Sequence, residues 1–298
     1  MSADPAKPPS RPGPVSVWVA GARPRTLPAA AIAVVVGTAA VGVDNWWRAL
    51  GALVVAVALQ IGANYANDYA DGVRGTDGSA RVGPVRLVGS GIRSAADVRR
   101  ASIITFAIAG LVGLWLAVSV DLRLLGLGAA ALWAAWFYTG GARPYGYRGL
   151  GELSVFIFFG LVATLGAAYL QAKSVNSAAV GGAICVGCLA TALLVVNNLR
   201  DIPGDRLAGK RTLAVRLGDP VTRKFFVGLV GCAFLSMFVL GIWEPAFFLV
   251  GLALPMALSP LRRVWRGDEG QALVPVLGEI GRLQVVVGVF FVVASLLS

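Results

Sequence analysis

The chain has 298 residues, of which 57% are hydrophobic and 14% are charged, and its net charge is +11. Soluble domains carry about 25% charged residues, so this composition leaves too little polar surface for a water-soluble globule and indicates a membrane protein. The chain contains no histidine, which excludes imidazole general bases, His-ligated haem and imidazole zinc sites. Only three cysteines occur, all in apolar runs. Acid–base and metal chemistry must therefore use carboxylates.

Five prolines and little apolar bulk in the first 16 residues predict a flexible tail over 1–16, followed by one transmembrane domain over 17–298. A removable signal peptide is the less favoured interpretation, because the first apolar run is followed by many more. A spanning helix needs about 20 apolar residues. The sequence therefore predicts an all-α membrane protein with nine such spans. They fall at 27–43, 49–66, 99–120, 122–139, 151–171, 177–198, 225–243, 245–261 and 276–297.

The Lys and Arg residues predict the orientation of these spans, since cytoplasmic loops hold an excess of them. With the N-terminus in the cytoplasm, nine spans leave only Arg48, Arg123 and Lys173 outside, out of 26 basic residues. The positive charge thus belongs to the cytoplasmic face. Topology and attraction to anionic lipid account for it, and no nucleic acid is needed.

Two short segments, 64–77 and 197–206, combine acids with amides where the second and sixth spans end. Helical positions i, i+3, i+4 and i+7 share a face, and this spacing aligns Asn64, Asn67, Asp68 and Asp71. Asn198, Asp201 and Asp205 have a similar spacing. Pro203-Gly204 predicts that the second helix ends near Asp201, which would leave Asp205 on the loop beyond.

Clustered carboxylates near lipid require a cation, and oxygen ligands without His or Cys suit Mg²⁺. Basic residues interleaved with these acids predict a diphosphate, whose oxygens Mg²⁺ and Arg or Lys can share. A hydrated helix end with snorkelling charges is the alternative for either segment alone. The pattern Asn-x-x-x-Asp recurs at Asn67 and Asn197, 130 residues apart, on spans that run parallel. The recurrence favours two parallel four-helix repeats facing a central cavity, plus a ninth helix.

These residues resemble the UbiA superfamily of intramembrane prenyltransferases, whose two aspartate-rich motifs hold Mg²⁺ and a prenyl diphosphate. The first motif departs from the broad superfamily spacing, because Gly75 stands where a third acid lies, and this departure resembles the menaquinone branch. Further similarity to 1,4-dihydroxy-2-naphthoate prenyltransferases lies in segments 22–28, 83–87, 138–141, 146–152 and 205–213. The resemblance runs from about residue 18 to the end.

The resemblance implies nine helices around a cavity and a set of site residues. Binding of Mg²⁺ or of its water shell would fall to Asp68, Asp71, Asp201 and Asp205, with Asp77 as a further candidate and Asn64, Asn67 and Asn198 in support. Diphosphate or carboxylate binding would fall to Arg74, Arg86, Arg143, Lys210 and Arg211. Tyr138 is one of several aromatic residues that would shield a carbocation or stack on the acceptor.

The implied activity is Mg²⁺-dependent transfer of a polyprenyl group from polyprenyl diphosphate to 1,4-dihydroxy-2-naphthoate, with decarboxylation to demethylmenaquinone. The isoprenoid would enter from the membrane lipid of a bacterial inner membrane, with the active site toward the cytoplasm. Another aromatic acceptor, such as 4-hydroxybenzoate or homogentisate, is the alternative within this class. A secondary transporter is the alternative outside it, disfavoured because transporter sites lie near the midplane and these acids cluster at one face.

Overall fold

The computed structural model describes residues 13–75 and 86–298, and all regular secondary structure in those ranges is helical. The α-helices are α1 Pro14–Ala22, α2 Leu27–Val41, α3 Trp46–Arg74, α4 Ala95–Val120, α5 Leu124–Phe137, α6 Gly151–Val155, α7 Ala163–Ala172, α8 Ser177–Leu207, α9 Leu213–Leu217, α10 Asp219–Trp243, α11 Leu254–Arg266 and α12 Val274–Leu297. A π-helix, Phe156–Val162, joins α6 to α7. The all-α prediction is confirmed for this part of the chain.

Eight helical segments of the described chain are long and apolar enough to cross a bilayer. They are Val15–Val41, Trp46–Arg74, Ala95–Val120, Gly151–Ala172, Ser177–Leu207, Asp219–Trp243, Pro245–Arg266 and Gly270–Leu297. The remaining predicted span, 122–139, corresponds to α5, which has 14 residues. At 1.5 Å per residue α5 is about 21 Å long, shorter than a hydrocarbon core of about 30 Å.

Side-chain caps and glycines set the helix ends. Asn45 accepts hydrogen bonds from the backbone at the start of α3, and Asn176 does the same for α8. α3 ends at Gly75, whose φ of +68° is readily adopted by glycine. The first helix begins at Pro14, inside the predicted tail, because proline suits the first helical turn. Residues 14–16 of the predicted tail are thus the first three residues of α1, and residues 1–12 lie outside the described ranges.

The long helix α8 is the centre of the molecule. It packs against α2, α10, α12 and the π-helix. Nearly three quarters of its most apolar stretch is buried inside the protein. Small residues allow this close approach: a Cβ on Gly160 of the π-helix would lie 2.6 Å from the Cα of Gly187 on α8. The packing fixes α8 rigidly and therefore fixes whatever side chains its last turns carry.

The prediction that α8 ends near Asp201 is wrong, since the helix continues through Pro203 to Leu207. A proline costs the helix the hydrogen bond from its own nitrogen, but the next turn closes through Ala208 N–H and the Gly204 carbonyl, 2.9 Å apart. The chain then leaves the helix at Gly209, with φ of +71°. Asp205 consequently lies on the last turn of α8 and not on a loop.

Candidate active site

The predicted polar stripe of the first motif does lie on one helix, α3, but its members have different partners. Asn64 is buried, and its amide donates to the Ala22 carbonyl at 2.8 Å and to Thr26 Oγ1 at 3.1 Å. The side chain therefore holds the turn between α1 and α2 against α3. This contact gives Asn64 a structural role in placing the N-terminal segment.

Asp68 is almost fully buried and both its carboxylate oxygens are occupied. They accept hydrogen bonds from the backbone N–H groups of Leu87, at 2.8 Å, and Val88, at 3.0 Å. Hydrogen bonds to a charged group contribute about 1.5–3 kcal/mol each. Asp68 therefore anchors the chain where it returns to α3 after residue 85.

Asp71, one turn further along α3, is the hub of the site. Its carboxylate pairs with the guanidinium of Arg86 and the ammonium of Lys210, each at 3.0 Å, and it accepts a hydrogen bond from the Tyr147 hydroxyl. Arg86 is itself buried. Three distant segments of the chain thus meet at one buried carboxylate.

The Tyr147 ring lies between the two motifs. The Lys210 ammonium is 4.6 Å from its centroid and the Arg74 guanidinium is 5.4 Å away, both within cation–π range. Burial raises the pKa of Tyr147 above its ordinary value of about 10, and the adjacent Asp71 charge raises it further. The hydroxyl therefore stays protonated at neutral pH and remains a donor to Asp71.

Arg74 fastens the loop after α5 to the first motif. Its guanidinium donates to the carbonyls of Thr139, at 2.6 Å, and Gly141, at 2.5 Å. The Thr139 hydroxyl in turn donates to Asn67 Oδ1 at 2.6 Å. Both predicted substrate-binding residues, Asn67 and Arg74, thus bind the protein's own loop in this structure.

The second motif is paired more locally. Asp201 forms a two-pronged ion pair with its neighbour Arg200, with both distances 2.7 Å, and Arg200 also donates to Asn197 at 2.8 Å. Asp205 accepts a hydrogen bond from Thr212 at 3.4 Å. These acids line the last two turns of α8, about one turn apart.

The two motifs come together around Tyr147 and Lys210. The backbone N–H of Arg211 donates to the Tyr147 carbonyl at 2.9 Å, joining the loop after α8 to the loop after α5. The backbone N–H of Lys210 donates to the Asp205 carbonyl at 2.8 Å, while the Lys210 ammonium pairs with Asp71. Because one residue contacts both motifs, the ends of α3 and α8 face a common region.

Three predicted residues are not part of this cluster as described. The side chains of Arg143 and Arg211 are exposed on their loops, and Asp77 lies outside the described residues. Glu152 of the cluster was not among the predicted site residues, and Tyr147 was predicted only as one of the several aromatic residues that would shield a carbocation or stack on the acceptor. Both stand in the segment 146–152 that carries part of the family resemblance, which was the available signal.

The donor chemistry of the cluster fits Mg²⁺. Within the described ranges no three acids converge to form a preformed metal cage. Mg²⁺ does not need one, because it binds through one or two carboxylates, several waters and the phosphates of a substrate. The half-buried Asp201 and Asp205 on one side and Asp71 on the other offer oxygen ligands only, as that mode requires.

A lateral cavity of about 400 Å³ adjoins the cluster on the α3–α5 side. Tyr69, Arg74, Arg99 and Trp136 contribute to its walls. Arg74 separates this cavity from Tyr147 and is shared between them. Aromatic and basic side chains therefore line the cavity next to the polar cluster.

Comparisons with known proteins identify relatives of this chain. Two relatives named 1,4-dihydroxy-2-naphthoate octaprenyltransferase are similar over nearly their whole length: one from Mycobacterium tuberculosis is 51% identical, covering 89% of this chain and 91% of the relative. The other, from Escherichia coli, is 39% identical, covering 94% and 95%.

Solved structures share the fold at low identity. The apo structure of a UbiA homolog from Aeropyrum pernix K1 has a TM-score of 0.70 at 17% identity, covering 90% of this chain and 97% of that one. A UbiA homolog from Archaeoglobus fulgidus bound to DMAPP and Mg²⁺ has a TM-score of 0.66 at 14% identity, covering 93% and 99%. Residues 26–276 match the UbiA prenyltransferase family model, and the chain belongs to that family.

Proposed function

We propose that this protein transfers a polyprenyl group from polyprenyl diphosphate to 1,4-dihydroxy-2-naphthoate, with loss of CO₂ and diphosphate, to give demethylmenaquinol, the reduced form of demethylmenaquinone. The observation that carries the proposal is the Asp71 hub, which gathers Lys210, Arg86 and Tyr147 from three segments between two acidic helix ends. The relatives from M. tuberculosis and E. coli, named for this activity, support the choice of acceptor.

The proposed architecture is a single domain over 17–298 with nine membrane helices around a central cavity. α5 is the additional, shorter span, and α3 and α8 occupy equivalent places in two parallel four-helix halves. Support comes from the Lys210–Asp71 ion pair, because it requires α3 and α8 to end on the same side of the molecule. The N-terminus is cytoplasmic in this proposal, and so is the active site of a multi-pass inner-membrane enzyme.

In the proposed mechanism, Asp71, Asp201 and Asp205 would hold Mg²⁺, with Asp77 as a further candidate, and the ion would supply positive charge to offset the charge that develops on the diphosphate. Lys210 and Arg86 bind phosphate oxygens, and Arg74, Arg143 and Arg211 extend the basic surface of the site. Asp71 orients the first two of these cations before substrate arrives, so little reorganisation is needed. Asp68, Asn64, Asn67 and Asn198 position the backbone and side chains around them.

Diphosphate departs with the electron pair of the allylic C–O bond, and the electron-rich naphthoate ring attacks the resulting carbocation. The helices exclude water, which would otherwise capture the cation. The Tyr147 ring already faces the cations Arg74 and Lys210, and it and Tyr138, whose hydroxyl lies beside Gly151, can stabilise positive charge. The cavity beside Arg74 is also lined by Ala70, Val73 and Trp136, which would offer apolar surface to the isoprenoid.

The decisive experiment is a radiolabelled prenyl-transfer assay with purified protein in lipid. The acceptor panel contains 1,4-dihydroxy-2-naphthoate, 4-hydroxybenzoate and homogentisate. We expect labelled, decarboxylated product only with the naphthoate. Transfer to one of the other acceptors and none to the naphthoate would contradict the acceptor assignment. A transporter is disfavoured because Asp71 and Asp201 lie within about two turns of their helix ends, away from the middle of each span.

The proposed topology predicts opposite accessibility at the two ends of α8. In a background with Cys185, Cys188 and Cys232 changed to Ala, Ser174→Cys should react with an impermeant thiol reagent outside intact cells. Leu207→Cys should react only after permeabilisation. Both positions are exposed in the structure, so burial does not account for a difference. Reversed labelling would place the site opposite the cytoplasm and overturn the topology.

A further inference from the structure

Glu152, the second residue of α6, is a buried carboxylate that the proposed mechanism does not use. Only 3% of the residue is exposed. Its Oε1 accepts a hydrogen bond from Asn198 Nδ2 at 2.9 Å, whereas Oε2 is equally buried and has no hydrogen-bond partner among the described residues. More than nine in ten buried polar groups in proteins are paired, and an unpaired buried carboxylate oxygen is among the most costly exceptions. This oxygen therefore requires a partner.

The position of Glu152 places it inside the candidate site. Its neighbour Gly151 touches the Tyr138 hydroxyl so closely that a Cβ on Gly151 would lie 2.8 Å from the Tyr138 oxygen. On the other side, its partner Asn198 precedes Asp201 by about one turn of α8. A π-helix, a feature that is frequent at functional sites, follows α6 directly. Glu152 thus lies between an aromatic ring and the second acidic motif.

Asn198 is the one side chain among the described residues that donates a hydrogen bond to the Glu152 carboxylate. Asn198 needs one acceptor, and the amide oxygen of a glutamine would supply it without burying a charge. A retained carboxylate is explained by a ligand that donates to its second oxygen. Neither diphosphate nor the carboxylate of the acceptor does so, because both carry only acceptor oxygens and negative charge. The hydroxyl groups of the aromatic acceptor are the only donors that the two substrates bring.

We propose that Glu152 recognises the aromatic acceptor, with Oε2 accepting a hydrogen bond from one ring hydroxyl. The inference rests on the proposed function and adds to it the residue that binds a hydroxyl group of the acceptor. The bond orients the ring next to Tyr138, and it increases electron donation from the hydroxyl oxygen into the ring that attacks the carbocation. Asn198, by holding Oε1, fixes the carboxylate and acts as a positioning residue.

The deciding variant is Glu152→Met, which cannot accept this bond. Its KM for the naphthoate should rise roughly ten- to hundredfold, as expected when a buried hydroxyl donor is left without its acceptor, while its KM for polyprenyl diphosphate stays unchanged. Thr164→Val is the matched control, because Thr164 lies on the same membrane segment, is fully buried and also has an unpaired oxygen in the described chain. The control should shift neither KM. If the Met variant does not fold, the same KM values are measured for Glu152→Gln, which keeps an acceptor for Asn198 but removes the carboxylate.

A second measurement identifies the hydroxyl. Two naphthoates that each lack one of the two hydroxyls are compared as inhibitors competing with the acceptor. The wild-type inhibition constants should differ by about tenfold or more, and the ratio should approach one in the Glu152 variant. A folded variant with the wild-type KM and ratio, or with equal rises in both KM values, would refute the proposal.

The acceptor that the wild-type protein uses distinguishes a failure of the proposed function from a failure of the Glu152 proposal. If wild-type protein prenylates a different phenol, the acceptor assignment fails, and Glu152 is then tested with that phenol and its deoxy analogue. Loss of discrimination in the variant would still support recognition of a hydroxyl by Glu152. Unchanged discrimination would reject it.

Discussion

Changing Asp71 to Ala is expected to lower kcat by at least about a thousandfold while leaving a folded membrane protein. Asp71 is buried and directly holds Lys210, Arg86 and the Tyr147 hydroxyl. Its removal deletes one proposed Mg²⁺ ligand and releases two cations that the proposed mechanism uses to bind diphosphate. The apolar packing of α3 against α4 is separate from this cluster and should keep the helix bundle intact.

The effect of Asp71→Ala is measured by radiolabelled prenyl transfer with purified variant, after a thermal-melt comparison with wild type. Asp219→Ala is the control, because Asp219 also pairs with an arginine, Arg223 at 2.5 Å, at one end of a long helix but outside the site. We expect the control to retain kcat within about twofold, as surface changes away from a site usually cost little. A folded Asp71→Ala protein with near-wild-type kcat would remove Asp71 from the proposed machinery.

The sequence was sufficient to predict the stripe on α3, because a spacing of three and four residues places side chains on one helical face whatever surrounds the helix. It was not sufficient to separate Asp68 from Asp71. Both belong to the stripe and both are buried. Their difference arises from distant segments: backbone N–H groups near residue 87 occupy Asp68, whereas Lys210 and Arg86 reach Asp71. Periodicity within one helix carries no information about such partners.

At Pro203, in contrast, the local sequence predicts a helix end that the structure does not have. Proline followed by glycine is a common helix-ending pair, yet α8 continues for one more turn. That turn is closed by its own hydrogen bond and by Thr212, which contacts Asp205 from the following segment. Tertiary contacts therefore decided the helix end, and with it the placement of Asp205.

The two motifs hold their acids in different ways. Asp71 is neutralised by cations from distant segments, so its environment depends on the closed arrangement of three loops. Asp201 is neutralised by the adjacent Arg200, which α8 carries with it. The α8 motif is consequently prepared by its own helix, while the α3 motif is completed only when the loops after α5 and α8 lie over it.

Removal of divalent metal is expected to abolish transfer. With EDTA in excess, turnover should fall by at least about a hundredfold, because Mg²⁺ supplies several kcal/mol of charge stabilisation that Lys and Arg alone do not replace. Added Mg²⁺ should restore activity, and EDTA already saturated with Mg²⁺ should have no effect. Transfer that persists at the full rate in excess EDTA would exclude a metal-dependent mechanism.

The metal requirement also distinguishes the acids from one another. Asp201→Asn keeps the side-chain shape but removes the charge that attracts the ion, so the Mg²⁺ concentration for half-maximal activity should rise by about tenfold or more. Asp68→Asn, at a carboxylate occupied by two backbone N–H groups, should reduce thermal stability and leave that Mg²⁺ concentration nearly unchanged. The same shift in both variants would contradict the separate roles, because it would require Asp68 to leave its backbone partners and bind the metal as Asp201 does.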